Sequence, residues 1–208
     1  MLVFKYSKIN GAEYISHLDT LRHIQKTFIR AKFNVDYSKG FNPHMRFFMS
    51  APIGVGIRST SEFCYAEISE TAESFINKVN NFCPGGFKVE WAAEVKKNPN
   101  LAGIIDAALY EIEGEISEQI IDEVLAKKEL YVLDKRGDEK EVRSKILDLY
   151  TSGGKLYAKL SFGNNTLRAD TLAEKLKADY GFNYEHITKI EVYIKGEKAE
   201  DYLLKNFS

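Results

Sequence analysis

Three of the four histidines, two of the four prolines and a stripe of cations fall between Ser16 and Glu62. Three runs carry them: Ser16-His17-Leu18-Asp19 with Arg22, then Tyr37-Ser38-Lys39-Gly40-Phe41-Asn42-Pro43-His44, then Pro52-Ile53-Gly54-Val55-Gly56-Ile57-Arg58-Ser59. Packing alone does not call for such a density of imidazole, glycine and proline. His17 falls in the first turn of a helix, where free N–H groups and positive potential favour a neutral imidazole and attract an anion such as phosphate. Arg22, Lys26 and Arg30, spaced by four, form a stripe along that helix. Such a stripe serves either as a solvated face or as a set of phosphate contacts. Gly54 and Gly56 let a ligand's backbone approach closely, and Arg58 can pair with phosphate. Asn42-Pro43 stiffens its loop and holds His44 in place, while Phe41 offers a ring for stacking on a base.

Other chemistries find little support. His17 and His23 are six apart and do not share a helix face, so the zinc-helix pattern is missing and no metal site or cofactor is expected. There is no phosphate loop of the Gly-x4-Gly-Lys type, no Gly-x-Gly-x-x-Gly after a strand, and no Gly-x-Ser-x-Gly elbow. Two histidines beside cations would suffice for metal-independent RNA cleavage. One imidazole would take the 2′-hydroxyl proton, the other would serve the leaving oxygen, and Arg or Lys would stabilise the phosphorane. His17 and His44 are the candidates for that pair.

The elements that must position these residues read as strand, helix, strand, strand, helix, strand. Leu2–Ile9 alternates, Ser16 opens a helix running to about Lys32, and Arg46–Ala51 pairs with Glu62–Ile68 across Pro52–Ser61. On the first helix Leu18, Leu21, Ile24, Phe28, Ile29 and Ala31 collect on one broad apolar face that should lie on the sheet. A helix at Ala72–Phe82 and a strand at Phe87–Val95 follow. Lys96-Lys97-Asn98-Pro99-Asn100 breaks the pattern, after which a second cycle runs through Ala107–Glu113, Ser117–Lys128, Lys145–Thr151, Lys155–Phe162, Thr166–Tyr180 and Ile187–Lys195. An extra hairpin, Leu130–Leu133 and Glu141–Arg143 around Arg136-Gly137-Asp138, precedes its central strand pair. The expected fold is therefore α+β: two tandem ferredoxin-like (βαββαβ) halves, 1–97 and 107–208, joined by a linker at 98–106, each an antiparallel sheet with two helices on one face. This geometry brings His17 towards the Gly54–Ser59 turn. The place of His44 relative to His17 stays open.

The chain of 208 residues is 44% hydrophobic and 28% charged, a globular composition, and no apolar run approaches a membrane span. The first residues lack a signal-peptide pattern, and two cysteines are too few for a disulfide framework, so a cytoplasmic protein is expected. Cys64, within a strand pattern, reads as a buried thiol. The net charge of −1 hides a polarity: residues 1–58 hold nine Lys and Arg against three Asp and Glu. The front of the chain can thus present a local anion-binding surface although the whole is near neutral.

The three runs, with Glu62 after the last, resemble the radical-SAM-linked protein family, a bacterial domain of unknown function found alone or fused behind a radical SAM domain. The likeness is closest over residues 14–68 and extends to Glu141-Val142-Arg143 and Thr166-Leu167-Arg168-Ala169-Asp170. At His44-Met45 this chain lacks the proline expected after the histidine. The resemblance implies partnership with a separate radical SAM enzyme and a context of RNA metabolism, since the Cys-x3-Cys-x2-Cys set for an iron–sulfur cluster is missing here. The expected function is an accessory module binding RNA or a phosphorylated substrate through Arg22, Lys26, Arg30, Arg58, Phe41 and Asn42, with His17 and His44 for recognition or proton transfer. The alternatives are a histidine-dependent endoribonuclease and a protein-docking domain for the radical SAM partner.

Overall fold

The computed structural model describes residues 1–133 and 137–208. Eleven strands and six α-helices follow one another: β1 (Leu2–Lys8), α1 (His17–Arg30), β2 (Phe47–Met49), β3 (Arg58–Ala66), α2 (Ala72–Val79), β4 (Phe87–Glu94), α3 (Leu101–Ile104), β5 (Ala107–Glu113), α4 (Glu118–Ala126), β6 (Tyr131–Leu133), β7 (Glu139–Glu141), β8 (Ile146–Ser152), β9 (Lys155–Ser161), α5 (Ala169–Tyr180), β10 (Ile187–Ile194), β11 (Glu197–Lys198) and α6 (Ala199–Phe207). The fold is mixed α+β. Nine strands form one sheet in the order β4-β1-β3-β10-β5-β9-β8, with β2 added on β3 and β11 on β10. β6 and β7 pair separately, as the extra hairpin was expected to; Arg136, in its turn, lies outside the described residues.

Two separate antiparallel sheets were expected, and here the structure differs. Residues Arg58 and Ser59 run parallel to Thr188 and Lys189, so β3 and β10 weld the strands into a single mixed sheet. β3 starts at Arg58, inside the stretch expected to be a connection, because its first residues find partners 130 positions away in β10 and Ser59 also pairs with Lys8 of β1. At its other end the same edge of β3 is taken by β2, through Phe47 opposite Ala66 and Met49 opposite Cys64.

Alternate residues of a strand lie on opposite faces, and the two faces have different cores. Leu2, Phe4, Cys64 and Ala66 pack with Phe28 of α1 and Phe75 of α2. Val3, Phe63 and Tyr65, one residue out of step, join a larger core with Val124 of α4, Leu172 of α5 and Leu203 of α6. The helices of the front part thus cover one face and those of the back part the other. α6, which the sequence pattern did not reveal, clamps the front strands from behind: Glu200 pairs with Lys5, and the Phe207 carbonyl accepts the Lys96 N–H at 2.9 Å.

α1 is seated on a narrower stripe than expected. Thr20, Ile24, Thr27 and Phe28 are buried, whereas Leu18 and Ile29 are exposed. The two threonines can be buried because each hydroxyl donates to the carbonyl four residues back, Ser16 O and His23 O, leaving only methyls to meet the sheet. The helix therefore rolls so that Leu18 and Ile29 fall on its flanks. Ser152-Gly153-Gly154-Lys155 is a two-residue hairpin, with φ of +59° and +73° at the glycines, the geometry a right-twisted pair of strands favours.

At the weld, Glu62 of β3 and Lys189 of β10 form an ion pair at 2.7 Å, with side chains 5% and 1% exposed. The ammonium also lies 4.6 Å from the centre of the Phe162 ring. Replacing Lys189 by Met takes away the cation paired with Glu62, leaving it only the electrostatic support of Lys8, and is expected to cost about 3–5 kcal/mol in urea unfolding. Glu62→Leu combined with Lys189→Met should recover most of that loss. A double variant as unstable as the single one would show that the pair itself, rather than the stranded charge, carries the stability.

Candidate functional site

The N-terminal end of β3 gathers charge from four elements. Ahead of α1, Gly11 and the short turn Ala12–Tyr14 carry Glu13, whose main-chain oxygen accepts the Gly56 N–H at 2.9 Å. Its carboxylate accepts the Gly11 N–H at 2.7 Å and the Arg58 Nε–H at 3.4 Å. Arg58 also reaches Glu113 at the end of β5, at 3.8 Å. Lys8, at the end of β1, turns its ammonium to the Ile15 carbonyl at 2.6 Å. Burial pushes Lys8 below the ordinary lysine range, although Glu62 and Glu13 oppose the shift. For Glu13, burial would raise the carboxyl, but its hydrogen bonds to backbone N–H groups and to Arg58 outweigh it and hold the group below the usual range. Arg58 is thus shared between two carboxylates, with its side chain 32% exposed.

The α1 residues read from the sequence are mostly local structure. Ser16 caps the helix, accepting the Asp19 N–H at 3.2 Å and donating its hydroxyl to the Asp19 carboxylate at 2.7 Å. Asp19 in turn holds Arg22 at 2.9 Å. Arg30 donates to the Phe82 carbonyl at 2.9 Å, while Lys26 stands exposed with no carboxylate at ion-pair distance among the described residues. His17 is half-buried in the first turn, four residues beyond Glu13.

His44 lies elsewhere. Its loop closes at the opposite end of β3, through bridges of Val35 to Ile68 and Tyr37 to Met45. Ser38 is the clasp: its N–H donates to the His44 carbonyl at 2.8 Å and its hydroxyl accepts the His44 N–H at 2.9 Å. From Ser59, beside the α1 end of β1, to Ala66, beside β2, is about 23 Å of strand at roughly 3.3 Å per residue. His17 and His44 therefore do not share a site. Phe41 and Asn42 sit in the His44 loop, both exposed, and Phe41 is bare to solvent, while Tyr37 is half-exposed and Phe48, on β2, is half-exposed with its ring 5.9 Å from that of Tyr65.

Three features escaped the sequence reading. Arg168, just before α5, lies against Gly54, where an added Cβ would be 3.3 Å from the guanidinium. Two of the resembling runs, far apart in the chain, thus meet. A cavity of about 860 Å³ opens beside Arg168, between the β6–β7 hairpin and α5, lined by Tyr131, Leu133, Val142, Leu167 and Lys175. Finally, Glu113, Glu185 and His186 bring their donor atoms within 4.8 Å of one another. The Glu185-His186 dipeptide was visible, but nothing in the sequence indicated that it faces the end of β5.

A family model described as an uncharacterised protein conserved in bacteria, DUF2344, matches residues 1–173. The chain belongs to this family. A search of curated proteins found no match. The description of DUF2344 names no chemistry. In this family member no helix among the described residues is long and apolar enough to cross a membrane, and both cysteines are unpaired, Cys64 being buried as expected.

Because the folded pKa of Glu13 lies below its unfolded value, its contribution to stability is present at neutral pH and is lost as pH falls through the folded pKa. Glu13→Gln should lower the urea midpoint near neutrality, and the gap from wild type should close below about pH 4.5. A gap that widens in acid would contradict the assignment.

Proposed function

We propose that this chain is a cytoplasmic binding module of two ferredoxin-like halves that takes RNA, or a similarly phosphorylated substrate, on behalf of a separate radical SAM enzyme. The strand orders β4-β1-β3-β2 and β10-β5-β9-β8 support the reading of two related halves. The partner rests on the family resemblance alone.

The observation that carries the binding role is the loop between Tyr37 and Phe48. Phe41 is fully exposed, and Tyr37 and Phe48 are 51% and 47% exposed, beside Lys39, His44 and Arg46. An aromatic ring left in water on a loop clasped by Ser38 contributes nothing to the core and is open to stack on a base. His44 and Asn42 supply polar groups within the same loop, and Lys26 adds a free cation on α1. The endoribonuclease reading loses its support, because the two imidazoles it needs stand at opposite ends of β3. A docking role keeps one: Tyr14, Leu18 and Val55 are 67%, 64% and 59% exposed around the Glu13–Gly56 hydrogen bond, an apolar patch suited to the partner enzyme.

Fluorescence anisotropy with single-stranded RNA over a salt series tests the binding role. Phe41→Ala should weaken binding by about 1–3 kcal/mol, the range for one base stacked on an aromatic ring. Lys26→Ala should flatten the log–log salt slope by about 0.7, the value for one phosphate contact on a single strand. Binding that is absent, or indifferent to both substitutions, would overturn the reading.

A further inference from the structure

Glu113, Glu185 and His186 are unused by the proposed ligand surface, which lies at the far end of β3, yet they are held together firmly. The Glu113 N–H donates to the His186 carbonyl and the Glu185 N–H to the Glu113 carbonyl, both at 2.9 Å. These bonds set both Glu185 and His186 opposite Glu113, just beyond the last register pair Ile112 and Ile187, in the two-against-one arrangement of a β-bulge. A bulge re-aims side chains, and here all three bring donor atoms together. Among the described residues this is the group of three metal-ligating side chains whose donor atoms come within 4.8 Å of each other.

The local charge balance asks for a cation. Arg58 is 3.8 Å from Glu113 but closer, at 3.4 Å, to Glu13. Lys155, directly across from Glu113 on the neighbouring strand, forms its close ion pair with Glu111 at 2.7 Å and is shared between the two carboxylates. Lys8, Arg58 and Lys155 are thus set against Glu13, Glu111, Glu113 and Glu185, one carboxylate more than there are cations, and the Glu113 and Glu185 carboxylates repel each other unless a positive charge lies between them.

We propose that Glu113, Glu185 and His186 bind one divalent transition-metal ion, with zinc the fitting choice. One imidazole nitrogen and two carboxylate oxygens suit zinc, whereas magnesium and calcium favour oxygen donors alone. Three protein ligands leave room for water, and Arg58 beside Glu113 orients a ligating carboxylate from outside the coordination sphere. The site is independent of the RNA-binding role: either can fail while the other stands.

Isothermal titration of zinc chloride into the full chain, freed of metal with EDTA and desalted, tests the proposal. Wild type should bind one equivalent. His186→Ala and Glu185→Gln should each bind at least roughly tenfold more weakly, the loss that even an outer partner of a ligand commonly produces. Glu185 is exposed, so its substitution leaves the fold intact, and circular dichroism melts would verify this for both variants. Cys83→Ser, which removes the partly exposed thiol, should bind as wild type does. The proposal is overturned if wild type takes up no zinc, or if uptake survives His186→Ala and is lost in Cys83→Ser.

Discussion

Glu62 and Lys189 stand 127 positions apart in the chain and lie on the two strands that weld the sheet. Taking either charge out of water alone costs several kcal/mol. The cost is offset only where the two meet, and they meet only when β3 lies beside β10 in one register. A slip of one residue would turn the side chains of one strand to the opposite face and leave a carboxylate or an ammonium buried without its partner. Hydrophobic contacts in the surrounding core tolerate small shifts; this pair does not. It therefore selects the arrangement in which Arg58 reaches both Glu13 and Glu113, and in which Gly54 meets Arg168.

That selection has consequences at a distance. With the weld in place, α1 and α2 cover one face of the sheet and α4, α5 and α6 the other, so neither part of the chain is a closed layer structure by itself. The front strands rely on α6 behind them, through Val3 and Leu203 in a shared core and Lys5 paired with Glu200. β3 becomes the axis of the molecule. One end is dense with paired charge and carries Lys8, Glu13, Arg58 and the Glu113–Glu185–His186 group; the other carries the clasped loop with Phe41 and His44.

Much of the element sequence was legible because it rests on local rules. Ser16, Thr71 and Ser117 each cap a helix, as side-chain oxygens ahead of apolar periodicity should. The strand pattern around Cys64 likewise marked the thiol that is buried in the structure. What local rules could not give was anything fixed by a distant partner. The early start of β3 depends on β10, the roll of α1 on threonines that satisfy their own hydroxyls, and α6 on the exposed back of strands at the other end of the chain. The candidate site suffered in the same way. Within the three runs that looked functional, Ser16, Asp19 and Arg22 cap and brace a helix, Ser38 closes the loop that carries Phe41 and His44, and Arg58 ties three elements together. His186, outside those runs, drew no attention because its carboxylate neighbours are assembled only by the β5–β10 ladder.

The polarity of charge along the chain also changes meaning once the fold is known. Among the nine cations of residues 1–58, Lys5, Arg22, Arg46 and Arg58 face carboxylates, and Lys8 and Arg30 face main-chain carbonyls. Lys26, Lys32 and Lys39 are exposed with no carboxylate at ion-pair distance among the described residues. Six of the nine cations are thus engaged by the protein's own groups, four by carboxylates and two by main-chain carbonyls. Three free cations would support a salt slope of only about −2 on a single strand. An RNA ligand held by so few phosphate contacts must draw much of its affinity from bases, which returns the weight to the exposed rings of Tyr37, Phe41 and Phe48. Under the proposed RNA-binding role, such a surface would favour unpaired, splayed nucleotides over a duplex, whose bases are already stacked on one another.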